Sequence, residues 1–201
     1  MNKKSTNPDN VRTRELRYAT IERPGIRDDD LKDLESRFTA MDQESRNGHI
    51  YACYGVAMRT AQDLEDRAKT ILYVYQRVSG VADTSVSYET VFDRRTLGQA
   101  LKSLTTFTEF DPEADEIRRL SRSRRNFLAH SFFVSRMDDL WRKESQAAVV
   151  SELLTDAQLF RDFQSILDPL FVDLVSESGI DLEALYRSAE TSVREKFNAL
   201  H

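Results

Sequence analysis

Apolar residues recur along most of this chain at steps of three and four, the period of a helix with one buried face. The most regular run is Ile50, Tyr54, Ala57, Ala61, Leu64, Ala68, Ile71, Tyr75 and Val78. It predicts a buried seam on a helix of about eight turns that ends at Ser79-Gly80. Ahead of it, Asn47-Gly48 reads as a break from an earlier helix. That earlier helix carries Leu31, Leu34, Phe38 and Met41 behind the acids Asp28, Asp29 and Asp30, which suit the positive end of a helix dipole. Residues 81–95 show no period and read as a loop. Thr96 opens a shorter helix, and Asp111-Pro112 opens the next, with Asp as N-cap and Pro in the first turn. Ile117, Leu120, Phe127 and Leu128 mark the core side of that helix, which is expected to run to about Phe133. Leu159, Phe163, Ile166, Leu170 and Leu174 predict another that ends at Gly179, with an earlier start and a bend at Pro169 both left open. Asp181 then caps a last one with Leu182, Leu185, Ala189, Val193 and Phe197 inward. The expected fold is all-α: a four-helix bundle core over about 50–175 with an extra helix at each end. Residues 1–27 read as a polar N-terminal segment, and 28–201 as a single helical domain.

Composition agrees with long helices and few turns, since the 201 residues include only six glycines and four prolines. No apolar stretch approaches the roughly 18 to 20 residues that span a bilayer, so no membrane partner is expected. The first ten residues lack the apolar core of a secretory signal. The single cysteine, Cys53, has no partner for an internal disulfide. A reduced cytoplasm is therefore the expected location, and no metal or cofactor is expected.

Net charge is −5, which disfavours non-specific coating of nucleic acid. The distribution is more telling. Arg118, Arg119, Arg122, Arg124, Arg125 and Arg136 lie in a stretch without an acid. Such a patch serves either local anion recognition or a solvated face that pairs with acids on a neighbour. Of the three histidines, His201 is terminal and His49 sits at the Asn47-Gly48 junction. His130 alone lies late in a helix beside the arginines.

The stretch Arg124-Arg125-Asn126-Phe127-Leu128-Ala129-His130 resembles the Arg–polar–x3–His motif of HEPN-domain ribonucleases. The bare Arg-x4-His pair carries little weight; Asn126 makes the match more specific. The family's motif falls late in the third helix of a four-helix bundle, as it does in the arrangement expected here. The resemblance implies catalysis by Arg125, Asn126 and His130, with Arg118, Arg119 and Arg122 binding flanking RNA phosphates. Histidine titrates near neutrality and suits proton transfer. Arginine presents a planar fork of donors matched to phosphate oxygens. Asn126 precedes His130 by one turn and shares its face. Arg125 and His130, however, are about 140° apart around a regular helix.

The resemblance answers that separation with a homodimer, in which two motifs line one composite cleft. It also implies metal-independent RNA cleavage in bacterial defence, stress response or a toxin–antitoxin pair. HEPN toxins silenced by a nucleotidyltransferase antitoxin carry a tyrosine two residues after the histidine. Here Phe132 has no hydroxyl to modify, so any antitoxin or regulatory protein would act differently. A non-catalytic RNA- or nucleotide-binding HEPN module and a helical protein-interaction domain are the alternatives. Glu65 and Asp66 are placed to approach the arginines from the seam helix. Arg124, on the apolar side of the motif helix, is expected in an interface or a buried ion pair. Tyr51, Tyr54, Tyr73, Tyr75 and Trp141 are read as packing residues.

Overall fold

Asp42 sets the start of the first long helix, because its side chain accepts a hydrogen bond from the Ser45 amide at 2.7 Å. That satisfies one of the amides a first turn leaves without an intrahelical partner. The computed structural model describes residues 14–16, 33, 36–79 and 95–179. Within them, this helix is α1 (Gln43–Val78), 36 residues long. It runs straight through Asn47-Gly48, where the sequence reads as a break. A glycine inside a helix costs about 1 kcal/mol relative to alanine, and tertiary contacts on the same turns offset that. Arg46 is buried and donates to Gln146 Oε1 at 2.8 Å, and Ile50 enters the core. Before α1, residues 36–40 are helical, and buried Phe38 sets its ring 5.9 Å from that of His49.

The next helix, α2 (Leu97–Leu104), starts as expected at Thr96, which forms a reciprocal capping box with Gln99. A three-residue strand, β2 (Thr108–Phe110), then pairs in parallel with β1 (Arg14–Leu16) from the N-terminal segment. Three residues are too few to display an alternating pattern, so this ladder left no readable mark in the sequence.

Asp111 and Pro112 begin α3 (Pro112–His130), with the Asp111 carboxylate accepting from the Ala114 amide at 2.8 Å. This helix stops at His130, short of Phe133. Two brief helices follow, α4 (Phe132–Ser135) and α5 (Met137–Trp141). The last described helix, α6 (Lys143–Ser178), spans 36 residues and contains Pro169. It starts well before Leu159 because Ala147, Val149, Val150 and Leu153 extend the same buried face. It ends where expected, at Gly179, whose φ of 63° is the left-handed conformation that glycine adopts without a Cβ clash.

The described protein is all-α apart from the short ladder. Its core lies between α1 and α6. Arg46 meets Gln146 near their starts and Arg67 meets Asp168 near their ends, so the two long helices run in the same direction. By contrast, α3 runs against α6: Phe110, just ahead of α3, packs on Phe163, whereas Arg124 reaches back to Asp156 and Glu152. Ala57, Ala61, Leu64, Ala68 and Ile71 of the expected seam are all buried. The three alanines remove little volume from the gap and allow close approach of the partner helix. Each fully buried Leu, Ile or Phe in this core contributes about 1.5–3 kcal/mol over its exposed state.

Some side chains depart from expectation. Leu120 is 46% exposed on α3, and Trp141 is 75% exposed and does not act as a packing anchor. Tyr73 is buried and Tyr75 stacks on Phe107 with 3.6 Å between ring centroids, but Tyr51 is exposed. No described helix is long and apolar enough to cross a membrane. Asp28 to Asp30, Leu31, Leu34, most of the 81–95 loop, the helix expected after Asp181, and His201 lie outside the described residues.

Candidate functional site

The helix α3 carries the whole expected motif, and its periodicity sorts the residues onto faces. Ala114, Ile117, Ser121 and Leu128 are buried. Arg119, Arg122, Asn126 and His130 are all exposed and recur at steps of three or four, so they form one stripe along the outer face. The distance along the axis from Arg122 to His130 is about 12 Å. His130 is the last residue of α3, and among the described residues neither it nor Arg122 has a hydrogen-bond or ion-pair partner.

Arg125 leaves that stripe. Its side chain is 22% exposed and turns toward α1, where Nη2 donates to Glu65 Oε2 at 3.0 Å. Its Nη1 lies 3.5 Å from Asn126 Oδ1, the outer limit of a hydrogen bond. The structure therefore joins Arg125 to Asn126 but does not bring Arg125 and His130 together within one chain. This is what the 140° offset of five helical residues implies.

The other expected phosphate ligands differ in what already holds them. Arg118 and Arg119 both pair with Asp115, at 2.7 and 3.1 Å. That acid lies just ahead of the acid-free stretch, one helical turn before the arginines. The Arg122 guanidinium lies over α2, so close that a Cβ on Gly98 would fall 3.0 Å from its Nε.

Arg124 joins a half-buried ionic cluster, as its place on the apolar side of α3 suggested. Its Nε and Nη2 donate to the two oxygens of Asp156 at 2.6 and 2.7 Å, and Nη2 also reaches Glu152 at 2.7 Å. Arg136 closes the cluster with two bonds to Glu152 at 2.7 and 2.9 Å. Both guanidinium groups lie against the Phe127 ring. Burial pushes the Asp156 carboxyl above its ordinary 3.8, and Arg124 only partly offsets this. At Glu152 burial also acts upward, but the bonds from Arg136 and Arg124 outweigh it and hold the carboxyl below 4.5. The bond to Asp156 makes the Arg124 guanidinium still harder to deprotonate. The sequence did not reveal Glu152 and Asp156 as partners; their only mark is a pair of acids one turn apart inside an apolar run.

On the α1 side, Glu65 reaches the arginines as expected, whereas Asp66 accepts from Gln62. Lys69, not foreseen, pairs with Glu65 at 2.7 Å. Its signal was the spacing of four residues on one helix face. Tyr54 donates to the Leu128 carbonyl at 3.0 Å and ties α1 to the last turn of α3. Phe132 is buried between the rings of Tyr54, Phe127 and Phe133.

Beyond His130 the surface turns apolar, with Tyr51, Phe133, Val134, Met137 and Trp141 exposed. Tyr51 and Trp141 line a cavity of about 140 Å³ together with Asn47, Ile50 and Leu140. Among the described residues, no group of three or more His, Cys, Asp or Glu side chains is placed to hold a metal ion. What the α3 face can do chemically is offer an imidazole, an amide and several guanidinium groups to a polyanion. Comparison of the chain with protein families, curated proteins and solved structures finds no match in any of the three.

Proposed function

We propose that this protein is an endoribonuclease that cuts RNA through attack of a ribose 2′-hydroxyl on the adjacent phosphorus. The observation that carries this reading is the exposed, unpaired His130 ending the same stripe as Asn126, Arg122 and Arg119, with Arg125 on its flank. In this reaction His130 takes the 2′-hydroxyl proton, the 2′-oxygen bonds to phosphorus, and the bond to the 5′-oxygen breaks. The leaving oxygen receives a proton from an imidazolium, and the products carry 2′,3′-cyclic phosphate and 5′-hydroxyl ends. Arg125 and the outer arginines bind the phosphates. The separation of Arg125 from His130 favours a homodimer whose two motifs complete one cleft. The apolar surface next to His130 supports such pairing, because large exposed apolar patches mark association sites. By its resemblance to HEPN ribonucleases, the activity belongs to cytoplasmic bacterial defence, stress response or a toxin–antitoxin pair, under a regulatory protein that does not act at Phe132.

The test uses wild type, His130→Ala and Arg125→Ala, matched for folding by circular dichroism and incubated with RNA in EDTA. Cleavage by wild type with cyclic phosphate ends is expected, falling by about 10²–10⁴-fold in His130→Ala. Binding of RNA without cleavage would instead identify a non-catalytic RNA-binding module. The same exposed apolar surface favours a second reading, a helical interaction domain, and absence of both binding and cleavage would select it.

A further inference from the structure

Glu65 is an ionisable residue set in an apolar row. Leu64 before it and Ala68 after it are fully buried, and its own side chain is 7% exposed. A carboxylate in such a place is strongly destabilising unless it is paired and hydrogen-bonded. Its two oxygens are divided between two cations. Lys69, one turn further along α1, holds Oε1 at 2.7 Å, and Arg125 of α3 holds Oε2 at 3.0 Å. Lys69 thus fixes the carboxylate from its own helix, and the second oxygen becomes a stationary acceptor facing α3. A guanidinium has five N–H donors in a rigid fork. Glu65 takes one and Asn126 touches another, so Arg125 is anchored at one corner and keeps donors that no described residue uses.

We propose that Glu65 is the positioning residue of Arg125: it orients the guanidinium in the α1–α3 groove so that the remaining donors meet an RNA phosphodiester. This rests on the reading of Arg125 as a phosphate ligand. A pre-oriented fork loses less conformational freedom when the phosphate binds, and it holds the phosphorus where the 2′-oxygen attacks. Displacement of such a group by about 1 Å can cost on the order of 100-fold in rate.

The experiment compares wild type, Glu65→Gln and Glu65→Asp by two readouts. The first is ¹⁵N relaxation of the Arg125 guanidinium, assigned by the signal lost in Arg125→Lys. The second is single-turnover cleavage of an RNA alongside binding of its 2′-deoxy analogue, which cannot be cut. Glu65→Gln is expected to free the Arg125 side chain and slow cleavage about tenfold or more. It should leave affinity for the analogue unchanged or tighter, because a negative charge near the phosphate is gone. Glu65→Asp should recover part of the rate. Equal Arg125 mobility in wild type and Glu65→Gln would overturn the proposal. So would a variant with a lower melting temperature but an unchanged cleavage rate per folded molecule, which would make Glu65 structural only. If wild-type protein cuts no RNA, the proposed function fails, and the relaxation measurement still decides whether Glu65 positions Arg125.

Discussion

Arg124 and Arg125 are neighbours in the chain and point about 100° apart around α3, and that single step sends them to opposite helices. Arg124 faces α6, where Asp156 and Glu152 receive it through three hydrogen bonds and the Phe127 ring covers it. Arg125 faces α1, where one oxygen of Glu65 holds it and the other belongs to Lys69. The first arginine commits three of its five donors to carboxylates of its own fold. The second is fixed at one corner and has donors left over. Under the proposed function, identical side chains divide into a strut and a phosphate ligand according to how much of the guanidinium the protein itself consumes.

The largest test of this division is Arg124→Ala. It leaves Asp156, only 4% exposed, without its main cation, and is expected to cost about 3 kcal/mol of stability. The figure is at the low end for a buried pair because Arg124 itself is 27% exposed. Urea unfolding measures it, and under the proposed function cleavage per folded molecule should stay at the wild-type level; a fall would erase the distinction between the two arginines. Arg125→Ala should show the reverse profile, with a stability loss of about 1–2 kcal/mol, since Glu65 keeps Lys69, and loss of RNA cleavage. A smaller effect is expected for Tyr54→Phe, which removes the bond to the Leu128 carbonyl and should cost about 1 kcal/mol in thermal unfolding. The cleavage rate would then show whether the last turn of α3 needs that tether.

The smallest effect is a pH dependence on the Arg124 side. The Glu152 carboxyl is held below its ordinary 4.5 by Arg136 and Arg124. A lowered folded value means that its stabilisation is present above pH 4.5 and is lost as pH falls through the lowered value. Asp156 acts in the opposite sense, because its raised carboxyl takes up a proton more readily in the folded state as pH falls. Glu152→Gln should therefore flatten the acid limb of the stability curve, measured by urea midpoints between pH 3 and 7. An unchanged acid limb would show that Arg136 and Arg124 do not stabilise the ionised carboxylate.

Most of the helical order was legible from periodicity. The seam from Ile50 to Ile71, the Thr96 and Asp111 caps, and the stop at Gly179 needed only local chemistry. Misread positions are those where distant residues override a local signal. Gly48 continues a helix because Arg46 and Ile50 are held by the core. At the site, the face shared by Asn126 and His130 was readable, and so was the offset of Arg125 from His130. The identity of each arginine's partner was not, except at Glu65. An ion pair across helices depends on register and direction, and no spacing along one helix encodes those.

The parallel course of α1 and α6 has a consequence for how the chain is made. Arg46 and its acceptor Gln146 are 100 positions apart, and the two partners emerge from a ribosome in that order. At about 5–20 residues per second, the seam of α1 waits about 5–20 s for the helix that covers it. During that interval Leu64 and Ile71 face solvent, other helices or a chaperone. A chain arrested before Lys143 would carry the seam without α6 to cover it, and such a fragment is expected to aggregate while the completed protein does not.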